Sequence, residues 1–281
     1  MIDGWRWDST LFQGSAAYYG RGRLPYAPGF AETLRAALGL DGRGRLLDVG
    51  CGPGTVALAL AGFFQEVVGL DPDQDMLAEA ERQRERRGIT NARWVPGRAE
   101  DLPGAVSGGF RVVAFGQSFH WTDRDRVAAA VLELLEPGGA FVHLSDLKNP
   151  PAEAHSSPLP HPAPPAEQIS ELVRHYLGPE RRAGQGTLPN GTPGREDLVL
   201  ARAGFENAER HVVPAGQVVT RGVDDLVAWV FSLSFSAPHL FGDRLEDFRR
   251  DLHALLRQAS PDGRFAEHLP PTEIMTWRRP R

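Results

Sequence analysis

The sequence predicts an α/β fold built on a doubly wound sheet, and two spaced features predict it. The first is Leu46-Leu47-Asp48-Val49-Gly50-Cys51-Gly52-Pro53-Gly54-Thr55, an apolar run that breaks into three alternating glycines. Val56-Ala57-Leu58-Ala59-Leu60 follows with helical character. The pattern reads as buried strand, tight turn and helix, in which glycine lets the backbone approach a ligand and offer it amide N–H groups. The second feature is another apolar run, Val67-Val68-Gly69-Leu70, which ends in Asp71. In a doubly wound sheet the end of the second strand offers a carboxylate to a ribose diol, about 20 residues after the glycine turn. Together the two features imply a nucleoside-containing cofactor.

Spacing narrows the choice. A dinucleotide fingerprint needs a third glycine three places after the second, and Thr55 stands there; Pro53 also removes one amide donor. A phosphate-binding P-loop needs a Lys after its glycines, and the only Lys of the chain is Lys148. Three further blocks follow in order: Trp94-Val95-Pro96-Gly97-Arg98-Ala99-Glu100-Asp101-Leu102-Pro103, Val112-Val113-Ala114-Phe115-Gly116-Gln117-Ser118-Phe119-His120-Trp121, and Leu135-Glu136-Pro137-Gly138-Gly139-Ala140-Phe141-Val142-His143. With D-V-G-C-G-P-G-T and G-L-D-P, they resemble class I S-adenosylmethionine (SAM)-dependent methyltransferases. The Phe119-His120-Trp121 triplet and the Tyr19…Arg23 segment bring the chain nearest to the trans-aconitate-methyltransferase-like (methyltransferase type 11) small-molecule branch. The resemblance implies a Rossmann-like, seven-stranded, mostly parallel sheet with an antiparallel last strand and helices on both faces. Four positions depart from it. Leu24 and Ala27 replace prolines, Arg98 stands where an Asp commonly meets the adenine amino group, and Arg111 replaces an Asp before the fourth strand.

The resemblance also implies a site. Gly50, Cys51, Gly52 and Gly54 pass beside the methionine and ribose portions of SAM; Asp48 orients that loop and reaches the cofactor's amino group. Asp71 accepts both ribose hydroxyls, with Pro72 continuing the turn. Met76 packs on the adenine or fills core. Ala99 and Glu100 are candidates for the adenine edge, unless Glu100 is an exposed loop acid. Gln117 faces the methionine moiety. Tyr19 and Arg23 close over the cofactor, Arg23 pairing its carboxylate, with Arg21 as a competitor. His120 is the candidate general base, with a structural histidine as the alternative. Phe119, Trp121, Trp229 and Ser232 line the acceptor pocket or else pack as ordinary core and helix surface. The expected reaction is methyl transfer to a small molecule, at the oxygen of a carboxylate or hydroxyl. A SAM-binding regulator or scaffold without turnover is the competing reading.

Composition sets bounds. With 281 residues, 41% of them hydrophobic, the chain can bury a full-sized core. A net charge of −5 gives no electrostatic reason to bind nucleic acid or an anionic membrane. A single cysteine permits no intrachain disulfide. No apolar run reaches a membrane span and the start lacks an apolar targeting core, so a cytoplasmic location is expected. No metal site is expected, and the sequence does not fix the oligomeric state. Four segments are expected: a helical lid over 1–40, the SAM-binding core over 41–148, a proline-rich insertion or cap over 149–195, and over 196–281 the rest of the sheet with substrate-side helices. Helices are expected over Asp75–Arg87, Arg124–Leu135, Ile169–Leu177, Glu196–Ala203, Asp224–Phe235 and Arg244–Gln258. Strands are expected over Glu209–Ala215 and Glu273–Trp277.

Overall fold

The computed structural model describes residues 8–147, 157–179, 182–183, 186–187 and 195–281. Two lead helices, α1 (Ala16–Gly22) and α2 (Phe30–Leu38), precede an alternating run. It comprises β1 (Arg45–Val49), α3 (Thr55–Leu60), β2 (Glu66–Asp71), α4 (Gln74–Arg86), β3 (Ala92–Pro96), α5 (Leu102–Ala105), β4 (Phe110–Gly116), α6 (Arg124–Leu134) and β5 (Leu135–Asp146). Beyond it come α7 (Ala166–Leu177), the two-residue strands β6 (Arg182–Ala183) and β7 (Gly186–Thr187), and α8 (Glu196–Ala203). The chain ends with β8 (Glu206–Val213), β9 (Val218–Gly222), α9 (Val223–Phe231), α10 (Leu245–Ala259), β10 (Arg264–His268) and β11 (Thr272–Arg278).

Seven strands form one sheet in the order β3-β2-β1-β4-β5-β11-β8, and β11 alone runs antiparallel to both of its neighbours. Strand side chains alternate between faces, so neighbours in β1 enter different cores. Leu46 packs with Val67, Val112 and Val142 beneath α2 and α3. Leu47 packs with Val68, Val113 and Phe141 beneath α6 and α8. Both faces are covered, which is why the central strands read as unbroken apolar runs. A third apolar cluster joins α7, α9 and α10 around Phe231, Phe241, Phe248 and Phe265.

Local chemistry sets the helix ends. The Asp73 side chain accepts from the Asp75 and Met76 amides and caps α4; Asp123 does the same for α6 through Arg126 N. Gly204, at φ +98°, ends α8, and the Phe205 amide returns to Leu200 O.

Three expectations shift. The strand expected over Glu209–Ala215 begins three residues earlier, drawn back by its pairing with β11. Helix α9 stops at Phe231, because Ser232 turns its hydroxyl onto Trp229 O and a tighter turn follows over Ser234–Ser236. The β9–β10 ribbon was not expected; its partners lie far apart in sequence, so neither short run identifies the other. Of the proline-rich stretch, residues 157–165 are non-helical and lie against β10, where Pro162 O accepts from the Ala266 amide. Lys148 and Asn149-Pro150-Pro151 lie outside the described residues, as does much of the expected cap. Among the described residues, no helix is long and apolar enough to cross a membrane.

Candidate functional site

The sheet order reverses between β1 and β4, and the crevice outside the carboxyl ends of such strands is where α/β sheets bind ligands. A cleft opens there. Its walls come from the ends of β1, β2 and β4, the turn after β3, and the segment that leads into α1.

At the turn after β1, Gly50 has φ +66°, and a Cβ there would come within 2.6 Å of the Ser118 Cβ. Ser118 in turn donates its hydroxyl to Val49 O, tying β4's end to β1's. Gly52 also lies at positive φ, but faces open space. The loop amides are largely committed to the protein. Gly50 N and Cys51 N donate to Leu70 O, and Gly54 N donates to Cys51 O. Gly52 N donates to Asp71 Oδ2 at 2.8 Å. The glycines therefore make room for a ligand more than they bind it.

Asp71 ends β2 in the cleft wall. Its two oxygens take one backbone amide each, from Gly52 and from Asp73, leaving further lone pairs toward the cleft. Burial raises its pKa to about 6, against the lowering effect of those two amides. Leu70, Pro72, Met76 and Ala99 add an apolar wall beside it. On the opposite side stand Tyr19, Gln117 and Trp121, with Phe12 edge-on to Trp121 at 5.6 Å.

Expected site residues divide accordingly. Tyr19, Gly50, Gly52, Asp71, Pro72, Met76, Ala99, Glu100, Gln117 and Trp121 line the cleft. Asp48, Cys51, Gly54, Arg23, His120, Phe119, Trp229 and Ser232 are not part of its lining. Asp48 is buried behind the loop, where its Oδ2 accepts the Ala57 amide at 2.9 Å and fixes the start of α3. Burial, with the nearby Asp71 charge, raises its pKa to about 7. Cys51 is turned inward, its thiol pushed well up by burial. A side chain on Gly54 would strike Trp94, on the core side. Phe119 is fully buried against Phe115 and Phe141. His120 lies beside the cleft-lining Trp121, 4.9 Å between ring centroids, and is not itself in the lining. Trp229 and Ser232 belong to the clamp that holds α1. Ser232 O accepts from Arg23 Nη2 at 2.9 Å, and Phe231 O accepts from Ser15 Oγ. Glu100 is buried yet reaches the cleft, with one carboxylate oxygen accepting the Asp123 amide and the other paired with the Arg98 guanidinium.

Sequence reasoning missed the Asp8–Phe12 segment, Asp73, Ser118 and Thr122. Only Asp73 had a signal, as an acid at a helix start. Arg98 had stood out as a departure, and its pairing with Glu100 explains it.

The pocket can be tested against an adenosyl–methionine ligand. Asp71 offers carboxylate lone pairs for a diol, and an apolar wall stands beside it for a base. Outside the lining, two buried polar atoms have no partner among the described residues, Asp48 Oδ1 behind the glycine loop and Arg23 Nε after α1. One accepts and one donates, the pair an amino-acid head group requires. The residues fit. Among the described residues no cluster of His, Cys, Asp or Glu could hold a metal ion.

Comparison with known proteins agrees. Residues 46–139 match the family model described as a methyltransferase domain. "Probable S-adenosylmethionine-dependent methyltransferase CRG1" of Saccharomyces cerevisiae is 32% identical over 100 residues, which is 35% of this chain and 34% of that protein. "Uncharacterized RNA methyltransferase lmo1703" of Listeria monocytogenes is 41% identical over 81 residues, 28% of this chain and 18% of that protein. The chain thus spans only about a third or less of these curated relatives. In overall fold it is similar to the crystal structure of YcgJ from Bacillus subtilis, with TM-score 0.52 and 16% identity over 89% of this chain and 98% of that one.

Proposed function

We propose that this chain, which carries a class I methyltransferase domain with SAM as its cofactor, transfers the methyl group to a small-molecule acceptor. The observation that carries the reading is the position of Asp71, a carboxylate at the end of β2 facing a cleft at the sheet's switch point. SAM supplies an already activated methyl group; what the chain supplies is position and exclusion of water. Asp71 would hold the ribose, Met76 and Ala99 the base, and Gln117, Arg23 and Tyr19 the methionine end. Helix α1, pinned on α9 by Ser15, Arg21 and Arg23, would close the site from above.

The match to the RNA methyltransferases covers 28% of this chain and 18% of that protein, so it carries no RNA acceptor over to this one. Helices α7, α9 and α10 add a helical cluster of their own.

The test is calorimetry with SAM and S-adenosylhomocysteine on wild type and Asp71→Ala. Wild type should bind both, and the variant should lose about tenfold or more, the scale of hydrogen bonds to a charged group. Because the diol donates to an ionised carboxylate, affinity should be constant above pH 7 and fall as pH drops through about 6. A folded wild type that binds neither ligand ends this reading.

A further inference from the structure

Phe12 and Trp121 belong to none of the three apolar clusters that build the fold. Both are half-buried, both line the cleft, and their rings meet edge to face at 5.6 Å. Aromatic rings of this size ordinarily sink into a core, because each carries a large apolar surface. Here that surface is turned to a ligand cleft instead.

Hydrogen bonds fix the end of the cleft at which the pair stands. Trp121 closes a single tight turn over Phe119–Trp121, its amide donating to Ser118 O and that of Thr122 to Phe119 O. Two residues on, the Asp123 amide donates to Glu100 Oε1 at 2.8 Å, and Arg126 Nη2 donates to Glu100 O at the same distance. The turn is thereby tied to the segment after β3, where Ala99 and Glu100 line the cleft. Phe12 arrives from the lead segment. Residues 8–12 form a self-bonded turn, in which Thr10 N and Oγ1 both donate to Asp8 Oδ1 and the Leu11 amide donates to Asp8 O. Just beyond it the chain is pinned: Gln13 O meets His239 Nδ1 at 3.0 Å, and Ser15 Oγ donates to Phe231 O. Between those anchors Gly14 takes φ +78° against Pro238, a backbone setting that favours glycine. The segment thus reaches the cleft as a short strap hung from the fixed start of α1, with Phe12 resting on Trp121.

Resting on the SAM reading above, we propose that Phe12 and Trp121 hold the adenine ring from the side opposite Met76 and Ala99, and that residues 8–12 are a strap that lifts for the cofactor to exchange. Stacking on an aromatic face suits a flat base, and the ring pair keeps water from that side of it. The role moves Trp121 from the acceptor to the base. It also separates two devices: α1 closes the methionine end, and the strap closes the base end.

Two ligands that share the base separate this role from binding at the methionine end. S-adenosylhomocysteine carries base, ribose and amino-acid head, whereas 5′-methylthioadenosine lacks the head. Calorimetry on the full chain should show Phe12→Ala weakening both ligands about tenfold, by factors that agree within about twofold, the scale of stacking one base on one ring. Trp121→Leu should do the same, and Phe12→Tyr, which keeps a ring, should bind both ligands as wild type does. Hydrogen exchange at residues 8–12 of wild type should slow on adding either ligand. A loss confined to S-adenosylhomocysteine would place the pair at the methionine end and overturn the inference. So would unchanged affinity for both ligands, exchange at residues 8–12 indifferent to both, or a wild type that binds S-adenosylhomocysteine and not 5′-methylthioadenosine. Binding of neither ligand by wild type would remove the methyltransferase reading itself, and this inference with it.

Discussion

Asp48 is the side chain whose chemistry is most at odds with its surroundings. It is 1% exposed, takes a single backbone amide, and leaves Oδ1 without a partner among the described residues. Ionising it there is costly, and its pKa of about 7 expresses that cost. In the unfolded chain an Asp titrates near about 4. Between those two values the folded state holds a proton that the unfolded state has lost, so stability falls as pH rises from about 4 to about 7. Asn at this position keeps an acceptor for Ala57 N and does not titrate. The stability of Asp48→Asn relative to wild type should therefore increase from pH 5 to pH 8, by at most about 3 kcal/mol, at about 1.4 kcal/mol per pH unit up to the folded pKa. Thermal melts across that range measure it, and parallel curves for the two proteins would refute the argument.

At the scale of elements, the site depends on α1 lying flat on α9. Gly22 makes that possible. A Cβ there would overlap the Ala228 carbonyl and lie 2.6 Å from Trp229 N, both backbone atoms that cannot swing aside. Buried Arg221 donates to Gly22 O and Asp225 O and pairs with Glu267, so α1, α9 and the β9–β10 ribbon share one guanidinium. Gly22→Ala should lift the lid at a cost of about 1–3 kcal/mol. Its expected mark is a loss of S-adenosylhomocysteine affinity of about tenfold with the far-ultraviolet dichroism unchanged; unaltered affinity would mean that α1 takes no part in binding. The same comparison shows what the chain discloses in one dimension. The strand–glycine–helix unit and Asp71 were legible because their meaning is local, set by spacing within about 20 residues of one βαβ unit. Trp229, Ser232 and Phe119 stayed open between pocket and core because an apolar or small residue on a helix or turn has two possible neighbours. Only tertiary packing chooses between them: here α1 for the first two and Phe141 for the third.

For the whole molecule, charge decides which class of acceptor can approach. The chain carries a net charge of −5, and among the described residues the cleft wall contains Asp8, Asp71, Asp73 and Glu100 with Arg98 as its one arginine. A protein that grips RNA gains most of its affinity from cations placed along phosphates, and that gain falls steeply with salt. Here the field around the opening has the opposite sign, so a polyphosphate backbone would be repelled on approach. A neutral or cationic metabolite meets no such barrier. Electrophoretic mobility shifts with bulk RNA at 50 to 150 mM salt, numbers on the order of those used to expose phosphate contacts, should therefore show no saturable complex. S-adenosylhomocysteine affinity should change by less than about twofold over the same range. A saturable RNA complex that weakens steeply with salt would instead align this chain with its RNA-methyltransferase relatives and displace the small-molecule acceptor.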